Sequence, residues 1–156
     1  MGDHRARIEW TQAGGEFSRG KYSRAHRWSF DGGQTVLASS SPSAVPVPLS
    51  DPAGIDPEEA YVASLASCHM LTFLFVAYKA GFQIESYVDD AFGSMAKNAQ
   101  GIPWVDKVTL RPEVKFVGEK RPSVEELEKL HHDAHEQCFI SNSVKSEIVV
   151  EPVPAT

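Results

Sequence analysis

Cysteine is the scarcest chemically useful residue in this chain of 156: there are two, Cys68 and Cys138. They have no C-x-x-C spacing, so neither a zinc knuckle nor a disulfide-stapled secreted scaffold is expected. Basic charge is also short. Fifteen Lys and Arg stand against 21 Asp and Glu, a formal net charge of −6. Nucleic acid and anionic membrane, which both need a basic face, are therefore not expected as partners. The start, MGDHRARIEW, lacks an apolar signal region. The most apolar stretch stops at Lys79, and no run is expected to span a bilayer. No internal repeat and no low-complexity tract occurs. Two thiols without a secretion signal suggest the reducing cytoplasm, where a thiol pair is more often reactive than structural.

What is present is an ordinary globular composition, 42% apolar and 23% charged, fitting one domain over residues 1–156. The chain is organised around DPEEAYVASLASCHMLTFLFVAYKA, which predicts a central helix over 57–80. Pro57 suits the first turn, Glu58 and Glu59 suit the positive end of the dipole, and Gly81 suits the stop. From Val62 to Ala77 the residues are small or apolar, which predicts burial on nearly all sides with Cys68 in the middle.

Before this helix the chain reads as an N-terminal β hairpin region, 5–38, with strands Arg5 to Thr11, Tyr22 to Phe30 and Gln34 to Ala38. Asp31-Gly32-Gly33 turns between the last two. The Pro/Ser-rich stretch 39–56 predicts an ordered surface loop. After the helix comes a β-α-β region, 82–153, with one strand from Phe82 to Gly93 and one from Val105 to Val117. A second helix is expected from Val124 to about Gln137, with Ser123 and Glu126 as a capping box. A last strand runs from Ser146 to Val153.

Few residues can carry chemistry. Taken alone, a buried mid-helix cysteine reads first as packing. Cys138, in the polar setting HEQCFISNS, is less like filling, and the pair suits a peroxidatic and a resolving cysteine brought together by two helices. His131 and His135 share a helix face. The position after His131 holds His132 rather than the glutamate a zinc protease needs, and a solvated helix surface is the expected setting. His69 points about 100° away from Cys68 and is not placed to act as its base. Arg24 and Arg27, read as one strand, fall on opposite faces; the inward one needs an anionic partner.

DPEEAYVASLASCHMLTFLFVAYKAGF together with AHEQCFISNSVKSEI resembles the family of osmotically inducible protein C and organic hydroperoxide resistance protein (OsmC/Ohr), and YSRAHRWSFDGG is similar to the N-terminal hairpin of an OsmC-like branch. The resemblance covers about residues 5 to 150 in order. It implies an α+β fold in which two chains intertwine, with antiparallel sheets around two long central helices. It implies a thiol peroxidase for organic hydroperoxides needing no metal or organic cofactor, and recycled by an external dithiol, for instance of lipoyl type. Cys68 would attack and Cys138 resolve through an intramolecular disulfide. Glu58 and an arginine, Arg24 or else Arg27, would activate the attacking thiol. Many members carry proline after the second cysteine; here Phe139 stands there and could add to an apolar pocket.

The chemistry fits that expectation. Attack on an O–O bond needs thiolate, and burial raises a thiol's pKa, so a guanidinium is required nearby. Leu65, Leu71, Phe73 and Phe75 around Cys68 would favour organic peroxides over hydrogen peroxide. Glu58 and Cys68 lie ten residues, about 15 Å, apart along one helix. A site using both must therefore be composite across a homodimer. The alternatives are a non-catalytic OsmC-like binding protein for an apolar ligand, with structural thiols, and a metal-binding module using the histidines.

Overall fold

The computed structural model describes residues 2–154. They form an α+β chain with two compact units, Met1–Ala60 and Tyr61–Thr156. In the first, β1 (Ala6–Glu9), β2 (His26–Phe30) and β3 (Thr35–Ala38) make an antiparallel sheet in that order. Gly33, at φ +85°, closes the β2–β3 turn in a conformation that a side chain would strain. β2 is shorter than the sequence suggests. The segment before His26 pairs with the Pro/Ser-rich loop instead, where the Arg24 amide donates to the Leu49 carbonyl at 2.8 Å. That loop is ordered: Ile55 forms a parallel bridge to Ala38, and the Asp51 amide donates to Ser39 Oγ at 2.9 Å. Gly54 is obligatory here, because a Cβ would sit 2.9 Å from the backbone at Ala38 and Ser39.

Helix α1 (Pro57–Lys79) starts on a capping box one residue earlier than its proline. The Glu59 amide donates to Asp56 Oδ1 at 2.8 Å and the Asp56 amide to Glu59 Oε2 at 3.1 Å. It ends in a Schellman motif on Gly81 (φ +81°), with the Phe82 amide reaching the Ala77 carbonyl and the Gly81 amide that of Tyr78.

In the second unit, two runs that read as single strands are each two. β4 (Gln83–Asp89) pairs with β7 (Pro112–Val117), while β5 (Phe92–Lys97) pairs with β6 (Pro103–Leu110). The chain changes sheet at Asp90-Ala91 and again at Arg111. Pro112 offers no amide to continue a ladder, and Asp89 Oδ1 accepts the Arg111 amide at 2.7 Å, fixing both corners together. β8 (Glu147–Val150) adds to β6 in parallel. Helix α2 (Val124–Gln137) has the expected Ser123–Glu126 capping box.

Two apolar clusters hold this unit. One joins Phe73 and Ala77 of α1 to Phe82, Val114, Leu130 and Ala134; the other joins Leu65 to Val108 and Leu110. Burying Phe73 and Leu65 contributes about 2–3 kcal/mol each. The burial of α1 corrects the expectation of an all-round buried rod. Only Leu65, His69, Phe73 and Ala77, one stripe at four-residue spacing, are buried. Leu71, Phe75 and Tyr78 remain 61%, 54% and 71% exposed. The physical reason is that two small clusters within one chain cover a single side of the helix. By length and composition α1 could also cross a membrane, contrary to expectation. Its buried stripe, with His69 inside it, is that of a helix packed on protein.

Candidate active site

Cys68 lies one step around α1 from the buried stripe, half-buried rather than enclosed. Its carbonyl accepts the Thr72 hydroxyl at 2.9 Å, which fixes the helix face below it. Cys138 is fully buried at the C-cap of α2, where its amide reaches the His135 carbonyl at 3.3 Å. The turn that follows is held by Asn142, whose side-chain amide donates to the carbonyls of Glu136 (2.8 Å) and Cys138 (2.9 Å). The Ser141 amide points at Cys138 Sγ, 3.5 Å away. Two of the orphan carbonyls at the end of α2, those of His135 and Glu136, are thereby satisfied.

The two thiols, seventy residues apart in sequence, meet. Burial pushes the Cys68 thiol above its ordinary value, and the neighbouring Cys138 thiol adds to that. The backbone amides of Ile140 and Phe139 pull part of the way back. Among the described residues no cation acts on Cys68. Neither amide carries a signal in the sequence. Next to Cys68 opens a cleft of about 810 Å³ lined by Leu71, Thr72, Phe75 and Phe139. Phe139 is 83% exposed and forms part of its wall.

Arg24 and Glu58 belong to the first unit. Arg24 lies outside β2, so strand alternation does not set its direction, correcting the shared-strand reading with Arg27. Its Nη1 donates to the carbonyls of Gly20 (3.0 Å) and Tyr22 (2.5 Å), and its guanidinium carbon stands 3.7 Å over the Tyr22 ring. Arg27 is exposed on β2, opposite Leu37 and Glu9. Glu58 is exposed in the first turn of α1, beside the capping Glu59. Among the described residues Arg24 and Glu58 make no ion pair within the chain.

The histidines divide. His132 is on the solvated surface, 3.3 Å from Glu136. His131 is not, contrary to expectation: it is buried, stacked on Phe73 (4.3 Å) and on His69 (5.5 Å), with His69 Nε2 3.1 Å from its Nδ1. His69 is thus committed to α2 and not to Cys68. Among the described residues no three potential ligands are grouped for a metal ion. Burial lowers His69 to about 4, with the charge of His135 adding to it, and lowers His131 to about 3, with His69 adding.

That pair makes stability pH-dependent. Below the unfolded value of 6.5 the unfolded chain binds protons the folded one refuses, so stability is full above pH 6.5 and falls from there toward pH 4. Protonating one such histidine corresponds to about 3 kcal/mol. Denaturant melts between pH 7 and 4 are expected to show this slope, and His131→Phe to flatten it. An equal slope in both proteins would assign the acid sensitivity elsewhere.

An α+β chain whose two helices bring two thiols together beside an apolar cleft belongs to a defined class, and the comparisons agree. The family model for OsmC-like proteins matches residues 50–153. An OsmC-like protein of unknown function from Vibrio cholerae is 52% identical, covering 98% of this chain and 100% of its own, with a TM-score of 0.95. The organic hydroperoxide resistance protein OsmC of Legionella pneumophila (16% identical, 100% and 98% covered, TM-score 0.71) shares the fold. So does the organic hydroperoxide resistance protein OhrB of Bacillus subtilis (21% identical, 96% and 97% covered, TM-score 0.62). No curated protein matches the chain. The chain belongs to the OsmC family.

Proposed function

We propose that this protein is a cytoplasmic thiol peroxidase that reduces organic hydroperoxides. The observation that carries this reading is that Cys68, on the wall of an open apolar cleft, neighbours the buried Cys138. The Cys68 thiolate attacks the distal peroxide oxygen; the O–O bond breaks, the alkoxide takes a proton and leaves as alcohol, and Cys68 becomes a sulfenic acid. The Cys138 sulfur then attacks Cys68 Sγ and expels water, closing a disulfide. An external dithiol, for instance of lipoyl type, returns both thiols with two electrons, so atoms and electrons balance.

Burial leaves Cys68 mostly protonated, so a cation must act on it. We assign that charge to Arg24, oriented by Glu58. Because Glu58 and Cys68 are about 15 Å apart on one helix, the set is completed in a homodimer. The exposed stripe Leu71, Phe75 and Tyr78 is suited to the seam between two such helices.

The test is stopped-flow loss of thiols in the reduced protein with one equivalent of peroxide. Cumene hydroperoxide is expected to react within seconds, and roughly tenfold or more faster than hydrogen peroxide, since Leu71, Phe75 and Phe139 bury its ring. Equal rates would remove the role of the apolar wall. The second reading, a non-catalytic binding protein for an apolar ligand, draws on the raised Cys68 pKa. It requires both thiols to survive the peroxide.

A further inference from the structure

Arg24 is fixed from three directions, and only one of its edges is left free. Its own amide is tied to Leu49, and its carbonyl accepts His26 Nδ1 at 2.7 Å if that nitrogen carries the proton. Its Nη1 is taken by the carbonyls of Gly20 and Tyr22, and one face of the guanidinium rests on the Tyr22 ring at 3.7 Å. Nε and Nη2 have no partner among the described residues. These two nitrogens form the edge by which a guanidinium grips a carboxylate or stabilises an anion. The platform beneath is itself braced. Tyr22 lies 4.6 Å from Phe17 and meets Trp10 edge-on at 5.6 Å, and Trp10 Nε1 donates to the Ser23 carbonyl at 2.8 Å.

We infer that Tyr22, carried by Trp10 and Phe17, is a positioning residue that presents the free Nε–Nη2 edge of Arg24 to the reacting thiolate. The inference rests on Arg24 being the activating cation of the proposed peroxidase. An unsupported arginine has several rotatable bonds to immobilise at each encounter; one stacked on a braced ring has already lost that freedom. Arg27, exposed on β2, has neither a ring nor a carbonyl cradle among the described residues.

The direct readout is NMR of the unaltered protein: the Arg24 δ-methylene protons are expected upfield of free arginine, in the shielding cone of Tyr22. Ordinary shifts would overturn the platform. The functional readout is the pH profile of Cys68 alkylation, which reports thiolate stabilisation whether or not peroxide is turned over. Tyr22→Leu is expected to raise its midpoint and to slow alkylation at pH 7 by about three- to fivefold. Tyr22→Phe, which keeps the ring, is expected to leave both unchanged. In an Arg24→Met background Tyr22→Leu should add nothing, because the two act through one guanidinium. If Arg24→Met moves the midpoint and Tyr22→Leu does not, or if the two effects multiply, the inference is overturned while the peroxidase stands. If Cys68 is inert to hydroperoxide yet the alkylation midpoints shift as expected, the positioning survives and the peroxidase reading falls.

Discussion

Cys68→Ser is expected to bring hydroperoxide turnover to background, whereas Cys138→Ser retains one fast oxidation per chain and then stops. A serine hydroxyl at position 68 stays protonated in the same setting that already burdens the thiol, and among the described residues the remaining thiol is the buried Cys138. In Cys138→Ser the first step is intact, because the wall of the cleft and the helix face below Cys68 remain. The second step has lost its nucleophile, so the sulfenic acid persists, to be trapped by a 1,3-dione, or proceeds under excess peroxide to sulfinic acid. Mass spectrometry distinguishes these states by whole oxygen atoms. Continued multiple turnover in Cys138→Ser with dithiol present would mean that the reductant attacks Cys68 directly and that the buried position of Cys138 serves packing. Persistent peroxide consumption in Cys68→Ser would move the reaction away from this cleft altogether.

Much of the fold could be read from local rules. Asp56, Pro57, Glu59 and Gly81 mark the ends of α1 by chemistry that acts within a few residues, and Ser123 with Glu126 does so for α2. The errors fell where the outcome depends on distant partners. Phe82 to Gly93 is uniformly strand-like, and only the pairing of Phe92 with Thr109 and of Asp89 with Pro112 reveals that it serves two sheets. The apolar circumference of α1 was legible, but which side one chain covers was not, since that depends on where β6, β7 and α2 return. His131 carried the same kind of ambiguity: a polar residue on an amphipathic helix reads as surface until its stacking partners, His69 and Phe73 on another helix, are known.

The candidate site was legible in its two cysteines and not in its backbone. Two cysteines were found because they are the only two. The amides of Phe139 and Ile140 facing Cys68 carry no sequence signature, as every non-proline residue has one. Phe139 is informative on this point: a proline there would have no amide to give, and the donor at the thiol would be lost. Strand alternation says nothing about Arg24, because the strand begins at His26; its setting is the braced ring beneath it and two nitrogens without a partner among the described residues.

The choice between the two arginines carries the second large effect. Arg24→Met is expected to raise the apparent pKa of Cys68 by about one unit or more, with about a tenfold loss of thiolate at neutral pH per unit. Arg27→Met is expected to leave it in place. The sign follows from the site: burial and the neighbouring Cys138 both hold the proton on, and the amides of Ile140 and Phe139 oppose them only in part. In the proposed dimer Arg24 is the further stabiliser of the anion, so deleting its charge pushes the value up. Methionine keeps the length and apolar stem of arginine, so it preserves packing on Tyr22 while deleting the charge. Alkylation of Cys68 followed from pH 5 to 10 in the Cys138→Ser background gives one titrating thiol and an unambiguous midpoint. A rise confined to Arg27→Met would transfer the role three residues along the chain and leave the Tyr22 platform without a task. No rise in either would leave the two amides as the sole activating groups, and a thiol so weakly ionised would favour the ligand-binding reading over the peroxidase.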